Sequence, residues 1–96
     1  MKLHAPPLRL LLVEDDVDVA AGIGEYLNRH GVSVDFAYSA AQARARLEAQ
    51  PFDLAVLDVN LPDQNGMALC RSLKNEGGLR SPVLFLTARD ALDDKL

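Results

Sequence analysis

The sequence predicts an α/β protein built on a doubly wound parallel sheet, and three observations support this fold class. Short continuous apolar runs, typical of strands buried on both faces, recur along the chain. Stretches with helical apolar period separate these runs, and Gly or Pro residues punctuate the junctions. The resulting order βαβαβαβα implies parallel strands with right-handed crossovers and helices on both faces of the sheet.

The first predicted strand is the apolar run Leu8–Val13, which is interrupted only by Arg9. A helix follows from Val17 to His30 and ends at Gly31, a residue favoured just past helix C-termini. Apolar and small residues form two helical stripes in this segment, which are Val17, Ala20, Ala21, Gly24 and Leu27 in one and Val19, Ile23 and Tyr26 in the other.

The second unit pairs an alternating strand with a capped helix. Val32, Val34 and Phe36 alternate with smaller or polar residues, which predicts a half-exposed strand near a sheet edge. Ser39 and Gln42 form a capping-box signature, and the helix they open is expected to continue to about residue 49. The inner stripe predicted for this helix is Ala40, Ala43 and Leu47.

The rest of the chain continues the alternation. Residues 54–57 predict a buried strand that ends at Asp58, and the composition of residues 61–66 predicts a loop. The remaining predicted elements are a helix over Met67–Asn75 with Cys70 and Leu73 inward, a strand over Val83–Thr87, and a last helix opening at Asp90.

A polar cluster follows three of the four predicted strands. The clusters are Glu14-Asp15-Asp16, Asp58-Val59-Asn60 and Thr87-Ala88. Because carboxyl ends of parallel strands share one edge, where open α/β sheets bind ligands, several acids and a hydroxyl should meet there. A hard divalent cation with oxygen ligands is the simplest compensation for the repulsion between these acids. The sequence therefore predicts a Mg²⁺ site.

Length and composition narrow the classes of function. The 96 residues, nearly half of them apolar, allow one small domain spanning residues 1–96. The net charge of -4 and the absence of a basic run give no electrostatic footprint for nucleic acid or an anionic membrane. Without a signal-peptide or membrane-span pattern, the expected location is the cytoplasm. The lone Cys70 rules out a disulfide framework and is expected to be a buried apolar residue.

Each candidate residue also has an ordinary structural interpretation. Asp15 or Asp16 could cap the first helix, Asp58 could be a turn residue, and Thr87 could be a β-branched strand residue. Independent caps and turns have no reason to place every acid at one end of three strands, so the pattern as a whole favours a site. His4 and His30 have no metal-like neighbours in the sequence and are expected to be solvated or to pack.

Residues 11–16, 57–66 and 83–89 together resemble the receiver domain of bacterial two-component response regulators. The resemblance covers essentially the whole chain, and three motifs at matching spacing make it specific. It implies a flavodoxin-like fold, with strand order 2-1-3-4 expected, that accepts a phosphoryl group from a sensor histidine kinase.

The resemblance assigns a role to each residue of the predicted site. Asp58 would be the phosphoacceptor, and Asp15 and Asp58 would bind Mg²⁺ directly. The backbone carbonyl of Asn60 would be a third protein ligand, and Glu14 would act through water. The metal would offset the repulsion between the carboxylate and the phosphoryl group, and Asp58 would become an aspartyl phosphate.

Two further residues would convert this chemistry into a signal. Thr87 would be the switch hydroxyl that moves inward when a phosphoryl group arrives, and small Ala88 would leave the phosphodonor a path. Movement of Thr87 would bias a two-state surface read by partners, so the protein is expected to be a Mg²⁺-dependent self-phosphorylating switch and not a turnover enzyme.

The carboxyl end departs from the family pattern. Receivers continue into a fifth strand, a fifth helix and a lysine at the site, all absent here, and Lys95 lies in the wrong predicted element to replace that lysine. Without the lysine, we expect slower phosphorylation and weaker coupling to Thr87. Without the last strand and helix, we expect an exposed edge at Val83–Leu86 and marginal stability or aggregation. The last ten residues look most like receivers followed by a winged-helix DNA-binding domain, so DNA would be reached only through an absent effector domain. A homodimer is a further expected form.

Three alternative functions compete with this interpretation. A dinucleotide-binding domain needs a Gly-rich turn after the first strand, where this chain has three acids that would repel a pyrophosphate. A haloacid-dehalogenase-like phosphohydrolase needs an aspartate two residues after its nucleophile, where this chain has Asn60. An interaction module that works without phosphorylation (a pseudo-receiver) remains open, favoured by the missing lysine and disfavoured by the intact acids.

Overall fold

Four parallel strands and three helices make up the part of the chain that the structure, a computed structural model, describes, which is residues 7–86. The predicted switch residues Thr87 and Ala88 and the predicted last helix lie outside these residues. In chain order the elements are β1 (Leu8–Val13), α1 (Val17–Arg29), β2 (Val32–Ala37), α2 (Ala40–Ala49), β3 (Leu54–Asp58), α3 (Gly66–Asn75) and β4 (Val83–Leu86).

The strands form one sheet in the order β2-β1-β3-β4. All three pairings are parallel, and Val13 pairs with both Ala37 and Leu57, so β1, β2 and β3 end almost level. This is the order of a flavodoxin-like doubly wound sheet, in which β2 is added on one side of β1 and the later strands on the other, so the strand order reverses between β1 and β3. The predicted fold class and strand order are confirmed.

Local capping explains where the helices begin and end. Asp16, Ser39 and Asn65 are the N-caps of α1, α2 and α3, and each side chain accepts hydrogen bonds from backbone N–H groups of the first turn. The Gln42 side chain also reaches back, but it accepts from the backbone N–H of Tyr38 at 2.9 Å, one residue before the Ser39 N–H that a capping box would use. At the other end of α1, Gly31 adopts a φ of 83°, which suits glycine best.

Alternate residues of β1 face the two sides of the sheet. Leu11 and Val13 belong to a core beneath α2 and α3 that also includes Ala43, Leu69 and Leu73. Leu10 and Leu12 belong to a second core beneath α1, together with Ala20 and Val56. Burial on both faces explains why β1 and β3 read as continuous apolar runs.

The burial of helix faces agrees with the sequence predictions for α2 and α3 but corrects that for α1. Ala40, Ala43, Cys70 and Leu73 are buried as predicted. In α1 the inner face combines Ala20, Gly24 and Leu27 of the first predicted stripe with Ile23 of the second, whereas Val17, Val19, Ala21 and Tyr26 are exposed. These four inner residues have the i, i+3, i+4, i+7 spacing of a single helix face, which is why the face draws on both stripes.

The β4 strand borders the described sheet and pairs only with β3 among residues 7–86. Leu84 and Phe85 are 58% and 40% exposed, respectively. Apolar exposure on this edge agrees with the expectation made for Val83–Leu86.

Candidate metal centre

Three carboxylates meet at the carboxyl edge of the sheet. The pairing of Val13 with Leu57 brings the residues that follow them, Glu14 and Asp58, to neighbouring positions. Glu14, Asp15 and Asp58 each offer a carboxylate oxygen, and these oxygens all lie within 4.8 Å of one another. Topology therefore brings two segments of the chain, separated by more than forty residues, into one acidic cluster.

Glu14 is the buried member of this cluster, with only 7% of its surface exposed. Its backbone N–H donates to the Ala37 carbonyl at 3.0 Å, which prolongs the β1–β2 ladder by one bond. Its carboxylate accepts from the backbone N–H of Asp16 at 3.0 Å. Glu14 is therefore held in place by the strand before it and the cap after it.

The surroundings of Glu14 oppose its ionisation. Burial raises the pKa of Glu14 to about 6, and the bond from the Asp16 N–H only partly offsets this effect. The negative charge of Asp58 and hydrogen bonding with the Asp15 and Asp58 carboxyl groups supply smaller parts of the same rise in pKa. The cluster is thus an anionic site that lacks a compensating charge among its own residues.

Asp15 and Asp16 have different roles, although the sequence alone could not separate them. Asp16 is the N-cap of α1, because its Oδ1 accepts from the N–H groups of Asp18 at 3.0 Å and Val19 at 3.1 Å. Asp15 instead contributes to the acidic cluster. The alternative in which one of these acids caps the helix is therefore correct for Asp16.

Asp58 begins a tightly closed loop. Its Oδ1 accepts from the backbone N–H of Asn60 at 3.0 Å, which is the turn contact that an ordinary interpretation of Asp58 predicts. The Gly66 N–H donates to the Val59 carbonyl at 2.7 Å, and a Cβ added at Gly66 would collide with the Asp58 carbonyl oxygen. Asp58 thus takes part in both the turn and the acidic cluster, and only glycine fits at position 66.

The donor set fits a hard divalent cation. Carboxylate oxygens are the ligands that Mg²⁺ and Ca²⁺ prefer, and Mg²⁺ is bound in proteins by one or two carboxylates together with waters and phosphate oxygens. The raised pKa of Glu14 and the proximity of three acids show repulsion that such a cation would relieve. The cluster could therefore bind a divalent metal.

The remaining predicted site residues are placed as follows. Asn60 is exposed in the loop after β3, and Asp58 pairs in register with Leu86, the residue that precedes Thr87 in the chain. Thr87 and Ala88 lie outside the described residues.

Two residues near the site make contacts that the sequence pattern does not predict. The composition of residues 61–66 predicts only a loop, but Gly66 closes against the Asp58 carbonyl and Asp63 binds the N-terminus of α2. Position 66 carried a signal, since an isolated Gly at a helix start can mark a close approach of two backbones. Asp63 carried none, because its partners lie 22 and 23 residues away in the chain.

Comparison with known proteins identifies the family. Residues 10–96 match the response regulator receiver domain family. The chain belongs to this family. Receiver domains of this family are signalling switches of two-component systems.

Curated relatives and a solved structure agree with this assignment. The chain is 40% identical to the transcriptional regulatory protein QseB of Escherichia coli O157:H7 and 39% identical to the response regulator PmrA of Pseudomonas aeruginosa, in each case over 93% of this chain and 40% of the relative. The chain thus spans about two fifths of the length of these relatives. The receiver domain of Francisella response regulator 1452 superposes with a TM-score of 0.80 at 25% identity, covering 93% of this chain and 72% of that one.

Within residues 7–86, none of the helices is both long enough and apolar enough to cross a bilayer.

Proposed function

We propose that this receiver domain accepts a phosphoryl group on Asp58 from a sensor histidine kinase, with Mg²⁺ as its cofactor. The acidic cluster is the observation that carries the proposal, because Glu14, Asp15 and Asp58 offer oxygens within 4.8 Å of one another beside the Asp58 turn. Asp15, Asp58 and the Asn60 carbonyl would hold the metal directly, and Glu14 would act through a water molecule.

The proposed phosphoryl transfer is a displacement at phosphorus. A carboxylate oxygen of Asp58 forms a bond to phosphorus while the bond from phosphorus to the imidazole nitrogen of the donor breaks, and that nitrogen keeps the electron pair. The bond from the Asn60 N–H to Asp58 Oδ1 orients the carboxylate for this attack. Bound Mg²⁺ supplies neutralisation of the negative charge shared by the carboxylate and the phosphoryl oxygens.

The phosphorylated state would be read as a change of surface. Thr87 follows the residue that pairs with Asp58, so its hydroxyl is the proposed sensor of the phosphoryl group, and Ala88 is the proposed opening for the donor. The event is a switch with one phosphoryl group per chain and not a turnover cycle. In a longer regulator of the kind represented by the curated relatives, expected in the cytoplasm, the change of surface would control DNA binding by an attached effector domain, or pairing of two receivers.

Phosphorylation by phosphoramidate tests the acceptor directly, because this donor has a P–N bond as phosphohistidine does. The chain with Mg²⁺ should gain one phosphoryl group that hydroxylamine removes, as it does from an acyl phosphate. Asp58→Asn should abolish the gain, and removal of Mg²⁺ with a chelator should reduce it by at least tenfold, since the metal offsets several kcal/mol of repulsion (about tenfold per 1.4 kcal/mol).

Asp18→Asn is the matched control, because Asp18 is an exposed aspartate in the first turn of α1 and lies outside the acidic cluster. It should be phosphorylated like the parent chain. Phosphorylation that persists in Asp58→Asn would contradict the proposed acceptor. A chain that binds Mg²⁺ and partners but takes no phosphoryl group would favour the pseudo-receiver.

A further inference from the structure

The loop that follows Asp58 is anchored at both its base and its tip. At the base, Asn60 and Asn65 form an isolated antiparallel bridge, and the Asn65 side chain caps α3. Between them, Leu61 is buried in the core beneath α2 and α3. These contacts hold the two ends of the loop and the Leu61 side chain. They do not hold the outer turn of the loop, which contains Asp63.

Asp63 holds that outer turn against a different helix. Its Oδ1 accepts from the backbone N–H of Ala40 at 2.8 Å, and its Oδ2 accepts from the N–H of Ala41 at 3.1 Å. Both carboxylate oxygens are therefore engaged at the N-terminus of α2, where free N–H groups and the helix dipole favour a negative charge. These N–H groups also hold the pKa of Asp63 below its usual range.

The cap of α2 is divided between two parts of the chain. Ser39, the residue before the helix, binds only the Gln42 N–H through its hydroxyl at 3.1 Å. The first two N–H groups of the helix are left to Asp63, which is 22 to 23 residues further along. Since one local residue already caps this helix, the Asp63 contact adds a polar connection between the loop after Asp58 and α2, whose Ala40 and Ala43 share a core with Leu61.

We propose that Asp63 is a positioning residue for the metal site, because its hydrogen bonds to α2 hold in place the loop that carries Asn60. The carbonyl of Asn60 can serve as a ligand only if the loop holds it at the correct angle toward Asp58, and outer contacts of this kind orient metal ligands in proteins. This inference rests on the proposed function, which takes the Asn60 carbonyl as a Mg²⁺ ligand. Asp63 touches neither the metal nor the phosphoryl group.

Mg²⁺ titration of the 96-residue chain, followed by amide and carbonyl NMR shifts without a phosphodonor, tests this role. Asp63→Ala should raise the Kd for Mg²⁺ about tenfold and reduce the shift of the Asn60 carbonyl. Asp63→Asn keeps one oxygen for an N–H of α2 and should fall between Asp63→Ala and the parent chain. Ser39→Ala is the matched control, since it removes the other cap of the same helix. It should lower the urea midpoint but leave the Kd for Mg²⁺ unchanged.

The outcomes separate this inference from its alternatives. Equal loss of affinity in Ser39→Ala would show that only the stability of α2 matters and would overturn it. Equal effects of Asp63→Asn and Asp63→Ala that vanish at high salt would indicate charge alone and would also overturn it. Unchanged affinity in both Asp63 variants would overturn it while the proposed function stands. Failure of the parent chain to bind Mg²⁺ would overturn both.

Discussion

Glu14 and Asp16 lie two positions apart and meet very different surroundings. Asp16 is exposed and its carboxylate bonds to N–H groups at the start of α1, where a negative charge is stabilised. Glu14 is buried beside two other acids, and its pKa rises to about 6. The same residue chemistry therefore stabilises the fold at one position and prepares a cation site at the other.

Gly66→Ala should damage both the fold and the site, because its Cβ would collide with the carbonyl oxygen of Asp58. Backbone atoms cannot yield as a flexible side chain can, so we expect a loss of about 2 to 4 kcal/mol in the free energy of unfolding. Urea denaturation measures this loss. Gly78→Ala is the control, since its Cβ would meet Leu73 only at ordinary contact distance, 3.8 Å. Equal losses in the two variants would contradict the close approach of Gly66.

The packing of α1 on β2 shows how a helix face is chosen by its neighbour. Gly24 lies where the Phe36 ring approaches the helix so closely that an added Cβ would overlap it. That ring also lies parallel to the Tyr38 ring, at a centroid distance of 6.3 Å. The small residue and the aromatic ring together set the distance between α1 and the sheet.

Gly24→Ala should therefore destabilise the protein by about 1 to 3 kcal/mol, the usual cost of overpacking a core. Gly22→Ala in the same helix is the control, because an added Cβ there meets nothing within 4 Å. Alanine is favoured over glycine inside helices, so this control should gain about 0.5 to 1 kcal/mol. Opposite signs in thermal or urea unfolding are expected. A gain in stability for Gly24→Ala would show that the ring moves aside freely.

Two cores on opposite faces of one sheet place the acidic cluster at the end of the molecule's most buried strands. β1 and β3 are central and are covered by α1 on one face and by α2 and α3 on the other. Their ends cannot move without disturbing both cores, and this rigidity keeps three mutually repelling carboxylates together. The site is thus maintained by the whole fold and not by its own contacts.

The repulsion should be visible as a pH dependence of stability in the metal-free chain. Glu14 holds its proton more tightly when folded, with a pKa of about 6 against an ordinary 4.5. The contribution of Glu14 to the free energy of unfolding is therefore fully present below about pH 4.5. It is lost as the pH rises through 6, which lowers the free energy of unfolding by about 2 kcal/mol. Glu14→Gln should remove this loss and be more stable than the parent chain at pH 7.5 under chelation.

Mg²⁺ should narrow the stability difference between the two chains at neutral pH. A concentration about 100 times the Kd adds about 2.7 kcal/mol to the parent chain, and Glu14→Gln should gain less because it lacks one of the charges that attract the ion. Urea unfolding at pH 5 and 7.5, with and without Mg²⁺, measures all of these differences. Identical pH profiles of the parent chain and Glu14→Gln would show that Glu14 is not the group responsible.

The order of the described elements, their bounds to within one residue, the cap at Ser39 and the candidates for the acidic cluster all follow from the sequence. These features depend on local period, capping chemistry and strand ends, all of which neighbouring residues specify. The buried face of α1, the separation of Asp15 from Asp16, the collision at Gly66 and the bonds from Asp63 to α2 were decided only by the tertiary structure. Each of them depends on contacts between segments far apart in the chain, and local sequence patterns do not specify how close such segments come in the folded protein.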